Sequence, residues 1–250
     1  MPTAYKNERE FLQHYDPKAF DSPLVTVDMA IFTLYDDQLK VLLVQRSDYP
    51  EKGKWALPGG FIDIARDRCL TDTAKRKLRE KTGVTSPYLE QLATVGNAER
   101  DVRGWSVTVV YFALIPHMLP AVPKNGAEAG EVHPESIAWV DAATALQKKL
   151  AFDHADLLLL ALERLRSKVL YTLMPAYLIE SPFTLTGLQR AYESIMGRDV
   201  EKKAFRRRLE HADVLEETGG MISEGPGRPA MLYRLKSGVE GFNFMRQLTP

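Results

Sequence analysis

At Asp153 the chain changes texture, and that change limits its fold more than any other feature. Before it, β-branched apolar runs alternate with turns and one long helix. After it come a leucine-rich helix, two shorter helices and a hairpin, all within residues 155–235. One core rarely serves both patterns, so two units are expected, residues 1–155 and 171–250, joined by a helix at 156–170.

In the first half, "LVTVDMAIFTL" (24–34) and "LKVLLVQ" (39–45) are strand-like runs separated by the turn formers "YDDQ", a hairpin signal. Pro58-Gly59-Gly60 breaks the chain before a helix over 70–82, where Leu70, Ala74 and Leu78 recur at helical spacing and Gly83 supplies the C-cap. Residues 92–95, 106–115 and 137–140 read as further strands, and 116–131 as a Pro/Gly/Ala-rich loop. Asp153 is the expected N-cap of the following helix, with His154 a structural residue at its start.

The second half carries the sharpest charge cluster, "GRDVEKKAFRRRLEHADVL". A helix over 200–212, capped by Asp199, would bury Phe205, Leu209 and Ala212 and present Lys203, Arg206, Arg207 and Glu210 on the opposite side, with Lys202 and Arg208 flanking. Such a face suits phosphates and base edges in a major groove. The helix at 185–196 precedes it, where Thr184 or Thr186 can cap and Gln189 can face a DNA backbone. Strands at 215–222 and 231–235 follow, with Arg228 on the tight "GPGRP" turn between them. Helix, helix, hairpin is the order of a winged helix-turn-helix, with Thr186, Gln189, Lys202, Lys203, Arg206, Arg207, Arg208 and Arg228 as DNA-binding candidates.

Bulk properties bound the rest. The 33 basic and 33 acidic residues cancel, which excludes an all-over basic coat but not a local basic face. The single cysteine, Cys69, rules out an internal disulfide and suits a reducing compartment. No apolar signal segment opens the chain, and the apolar run near 157–162 is too short to span a bilayer, so a cytoplasmic protein without a membrane partner is expected.

The glycine turn and the helix behind it resemble the Nudix box. In that motif a glycine loop leads into a helix ending in arginine-glutamate, an apolar residue, any residue, two glutamates, any residue and glycine. Arg76, Leu78, Glu80 and Gly83 match. Lys77 and Lys81 stand where two of the glutamates belong, Arg68 falls on the upstream glutamate, and the loop from Gly60 is two residues longer. A diphosphate hydrolase of this kind clusters carboxylates around divalent metal. A lysine beside that seat would repel a unit charge at about 4 Å by roughly 4 kcal/mol at an effective dielectric of 20. Asp63 and Asp67 could offer oxygens, but only from the altered loop. The expectation is a catalytically silent pocket, not an enzyme, with no metal requirement, in which cations take over the counter-ion role. The candidate ligand residues are Arg46, Trp55, Gly60, Phe61, Asp63, Glu80, Arg103 and Phe152, the aromatics serving as stacking faces.

Taken with the winged helix, "WALPGGFID", "EKTGV", "RGWSVTV", "AFDH", "SPFTL", "FRRR" and "GRPAMLYRL" resemble the Nudix-related transcriptional regulators of NAD metabolism, the NrtR family. The resemblance spans essentially the whole chain. It implies an α+β protein, an N-terminal Nudix-type α/β/α sandwich followed by a C-terminal winged helix-turn-helix. It further implies a homodimeric repressor on palindromic double-stranded operator DNA, with ADP-ribose as the effector that weakens binding. The competing readings are a Nudix hydrolase of ADP-ribose-type nucleoside diphosphates with an accessory winged helix, and a winged helix that binds protein.

Overall fold

The computed structural model describes residues 5–85, 88–117, 137–223, 228–239, 241–245 and 248. After a short helix α1 (Glu8–His14), the hairpin forms as expected from β1 (Leu24–Tyr35) and β2 (Gln38–Gln45). Its two-residue turn, Asp36-Asp37, has φ of 50° and 55°. That is the turn geometry whose twist matches paired antiparallel strands, and aspartate tolerates it better than most residues.

Short strands β3 (Trp55–Ala56) and β4 (Gly59–Phe61) lead into α2 (Leu70–Thr82), then β5 (Tyr88–Asn97), β6 (Ser106–Leu114) and β7 (Ile137–Asp141). Together they make a seven-stranded mixed sheet in the path β3-β2-β1-β6-β5, with β4 on β1 and β7 on β2. β1 lies at the centre, parallel to β6 and antiparallel to β2. Both faces are covered, so its side chains alternate between two cores. Val27, Met29 and Ile31 pack with Ala74 and Leu78 of α2. Ala30 and Phe32 pack on the other face with α4 (His154–Val169). This is the expected α/β/α arrangement. The loop at 116–131 falls almost entirely outside the described residues.

α3 (Ala142–Leu146) is a single turn capped by Asp141. α4 was expected as a linker, but it buries Leu157, Leu158, Ala161, Leu162, Leu165 and Val169 against the sheet. The same core continues through a 3₁₀ turn, Met174–Leu178, into α5 (Leu185–Met196), α6 (Lys202–Ala212) and the hairpin β8 (Leu215–Ile222) and β9 (Ala230–Leu235). Tyr233 of β9 pairs with Phe183, just ahead of α5. Thr184 caps α5 by accepting from the Gly187 N–H. α6 is capped by Glu201, not Asp199: the Glu201 carboxylate accepts from Lys203 and Ala204 at 2.9 and 2.6 Å. The helix starts at Lys202, so Asp199 lies too far back to reach its open amides.

Candidate functional site

A cavity of about 300 Å³ opens where β1, β2, the glycine turn, the β5–β6 loop and the start of α4 converge. The turn makes it possible. A Cβ on Gly59 would fall 2.1 Å from Asp28 Oδ1, so only glycine lets the turn pass so close to β1. Asp28 reaches the cavity because the two-residue period turns it, like Ala30, to the α4 face.

Cations rim the cavity. Arg46 lies with its guanidinium 4.7 Å from the Phe152 ring centre and donates to the Pro50 carbonyl at 2.9 Å. Arg103 lies 5.2 Å from the Phe61 ring centre and donates through Nε and Nη2 to Asp101. That hydrogen bond raises the arginine's pKa and holds the carboxyl low. Lys81 also lines the cavity, and burial followed by repulsion from Lys77 lowers its pKa. The two neighbouring acids of α2 and its approach are engaged elsewhere. Glu80 pairs with Arg76 at 3.1 Å and Lys77 at 3.2 Å, and these cations outweigh burial to keep it ionised. Asp67 is buried beneath a two-pronged contact from Arg76 and accepts from Thr73. Asp63 turns its carboxylate to the Ala65 N–H and does not line the cavity.

Beneath the rim lies a buried charge cluster. Arg100, 5% exposed, donates to both oxygens of Asp153 at 2.9 and 3.0 Å and lies 3.5 Å from Asp28. His154 is buried, and its Nδ1 accepts from the Leu57 N–H at 2.9 Å. Its Nε2 therefore carries the proton, 3.8 Å from Asp28, and burial lowers its pKa.

The structure therefore gathers Arg46, Gly60, Phe61, Arg103 and Phe152 around one cavity, while Trp55, Asp63 and Glu80 stand apart from its lining. Trp55 packs on the main core, and its carbonyl accepts from the Ala151 N–H.

On the other unit, Lys202, Lys203 and Arg207 are exposed and Arg206 is half-buried. Among the described residues, no hydrogen bond or ion pair holds any of these four side chains. Two other candidates are occupied within the chain. Gln189 donates to Glu193 Oε1 and to the Val200 carbonyl, tying α5 to the start of α6. Arg208 donates to the Leu170 carbonyl at 2.8 Å and stacks 3.8 Å from the Phe244 ring centre. Thr186 is half-buried in the first turn of α5, and Arg228 is exposed ahead of β9. A larger cavity, about 830 Å³, opens behind α6 against Phe242 and Phe244; it includes Arg207 but none of the residues of the glycine turn.

The family profile for the NUDIX domain matches residues 25–161, and that for the NrtR DNA-binding winged helix domain matches residues 175–235. The ADPR responsive transcriptional repressor NtrR of Acinetobacter baylyi is 50% identical over 244 residues, covering 98% of this chain and 94% of that protein. The chain belongs to the NrtR family.

Solved NrtR structures agree. The crystal structure of Shewanella oneidensis NrtR with a 27mer DNA superposes with a TM-score of 0.81 at 48% identity, over 90% of this chain and 99% of that one. The NUDIX domain of the same NrtR with ADP ribose gives a TM-score of 0.57 at 51% identity, over 64% of this chain and 99% of that one. Within this NrtR chain, sequence reasoning missed Asp28, Arg100 and Asp101 as cavity residues and missed that Lys81 faces inward. Asp28 did leave a signal, as a carboxylate in the middle of an otherwise buried strand.

Proposed function

We propose that this protein is a transcriptional repressor of NAD-metabolism genes that acts as a homodimer on palindromic operator DNA. Its Nudix cavity binds ADP-ribose without consuming it. The observation that carries this reading is Lys81. It lines the cavity from the helix position where a hydrolase of this kind needs a second glutamate, while Glu80 stays ionised but is taken up in ion pairs with Arg76 and Lys77. Among the described residues, no group of three or more acids, histidines or cysteines could hold a metal ion. The donors present do not fit a divalent cation, whereas Arg46, Arg103 and Lys81 fit a dianionic diphosphate, and Phe61 and Phe152 offer faces for the adenosine. The relatives support the two ligands: one is named as ADPR responsive, one was crystallised with DNA, and a NUDIX domain was crystallised with ADP ribose. The exposed cations of α6 supply the DNA face, and no helix among the described residues is long and apolar enough to cross a membrane.

The test is a calorimetric titration of ADP-ribose with and without Mg²⁺, followed by product analysis. The expected result is equal affinity in both and no cleavage. Turnover in the ordinary enzyme range of about 1–10³ s⁻¹ would replace the sensor reading with the hydrolase one.

A further inference from the structure

We propose that Asp153 is a positioning residue with two stations, one on Arg100 at the cavity floor and one on the Ala155 N–H in the first turn of α4, and that ligand occupancy moves it from the first to the second. The proposal rests on the reading of the cavity as an anion site that governs DNA binding.

Three observations meet at this residue. Asp153 stands at the N-cap of α4, yet its side chain makes no capping hydrogen bond. An aspartate there would ordinarily accept from the amides of the first turn, so its natural partner is forgone. Its carboxylate is instead held by both Nε and Nη2 of Arg100. The residue before it, Phe152, has φ of +52°, a left-handed conformation that a bulky aromatic adopts only under strain. Strain of this kind gathers at switch sites. Phe152 faces the cavity beneath Arg46, so the strained residue touches both the ligand space and the start of the helix.

Charge supplies the driving force. Arg100 lines the cavity and already faces two carboxylates, Asp153 and Asp28. A diphosphate brought into the same cavity adds further negative charge beside them. It binds more tightly to the state in which Asp153 has left Arg100, because the guanidinium is then free to answer the ligand. Differential affinity of this kind is what a ligand needs to shift a two-state equilibrium. The departing carboxylate has a destination two residues away: the His154 and Asp156 amides of the first turn already donate to the Ala151 and Asp153 carbonyls, which leaves the Ala155 N–H, an amide that an N-cap side chain ordinarily reaches.

The helix offers a route onward. Glu90 of β5 pairs with Lys168 and Arg164, holding the far half of α4 to the sheet, so release at the near end leaves a pivot. Just past that pivot the Leu170 carbonyl accepts from Arg208 of α6, the helix that carries the exposed basic face.

The variant Asp153→Ser separates the stations, since serine caps a helix but is too short to reach Arg100. Operator binding is read by fluorescence anisotropy with and without saturating ADP-ribose, and ADP-ribose binding to the DNA-free protein by calorimetry. In wild type the ligand weakens operator binding; if it does not, the repressor reading fails, and that failure is visible before any variant is made. The expected result for Asp153→Ser is tighter ADP-ribose binding, by about fivefold or more, and ligand-free operator affinity lowered toward the liganded wild-type value. The ratio of operator affinities with and without ligand should collapse toward one. A merely structural role would weaken both ligands rather than tighten one. Wild-type values for the ratio and for ADP-ribose affinity would overturn the proposal. Should circular dichroism find the serine variant unfolded, Asp153→Asn carries the same test, with the same two shifts expected at smaller size and wild-type behaviour again overturning it.

Discussion

In the cavity, Arg103 is held by Asp101 and Arg100 by Asp153, and Arg46 lies against Phe152. On α6, Lys202, Lys203, Arg206 and Arg207 have no such partner among the described residues. Both regions collect positive charge, but the first fixes it in place with partners, whereas the second leaves three of its four cations exposed and Arg206 half-buried. A small ligand offers few contacts, so its site gains most from donors whose geometry is set beforehand. A DNA duplex offers many phosphates along its length, and mobile cations that displace counterions suffice for much of the affinity. Arg208 and Gln189 mark the border between the two regimes, since both are drawn into the chain's own packing.

The largest effect should come from the unpartnered side. Arg206→Ala with Arg207→Ala is expected to cost operator binding about 1–3 kcal/mol for each residue that reads a base, and to flatten the salt dependence by about one unit for each that meets a phosphate. A salt titration of operator binding checks this, and parental behaviour would make the basic face of α6 merely solvated. Arg208→Ala, by contrast, should change protein stability along with DNA affinity, because its contacts run to Leu170 and Phe244.

On the organised side, Arg46→Ala or Arg103→Ala should weaken ADP-ribose by about 1.5–3 kcal/mol, or roughly ten- to 150-fold, through loss of a charge-assisted contact. Calorimetry distinguishes this from unchanged affinity in both variants, which would move the ligand elsewhere. Operator binding without ligand should stay near the parental value, sharpening the division between the regions.

The smallest effect concerns pH. His154 is buried and its pKa is lowered, first by desolvation. Protons therefore bind the unfolded chain first. The native state is fully favoured above the unfolded imidazole value of about 6.5 and loses stability as pH falls through it, by at most about 1.4 kcal/mol per pH unit. Urea unfolding at about pH 7.5 and pH 5.5 reads this, and His154→Gln should remove that part of the slope. The depressed carboxyls of Glu80, Asp67 and Asp101 act in a separate window, because their contribution is lost only as pH falls into the carboxylate range.

Where a segment's pattern is local, sequence and structure coincide. Leu70–Thr82 and Leu185–Met196 have helical periodicity and glycine C-caps, and both occur as read. Leu215–Ile222 likewise pairs as a hairpin strand. The cap of α6 shows where local reading fails: Asp199 and Glu201 are both acids near the helix start, and only the backbone at Lys202 decides between them. The helical wheel set Arg208 beside the basic face, but it had no knowledge of the C-terminal segment that brings Phe244 onto that arginine.

The sequence by itself determined the long strands β1, β2 and β6, the helices α2, α4, α5 and α6, the order of the two units, the family and the loss of the acid cluster, because each is written in neighbouring residues or in turns of one helix. Only the tertiary structure decided that Arg100 would answer an aspartate 53 residues away, that Lys81 would face the cavity, and that Asp153 would leave its own helix uncapped. The reason is physical: burying a charge is costly unless a partner meets it, and that partner comes from whichever distant segment the sheet and helices bring near.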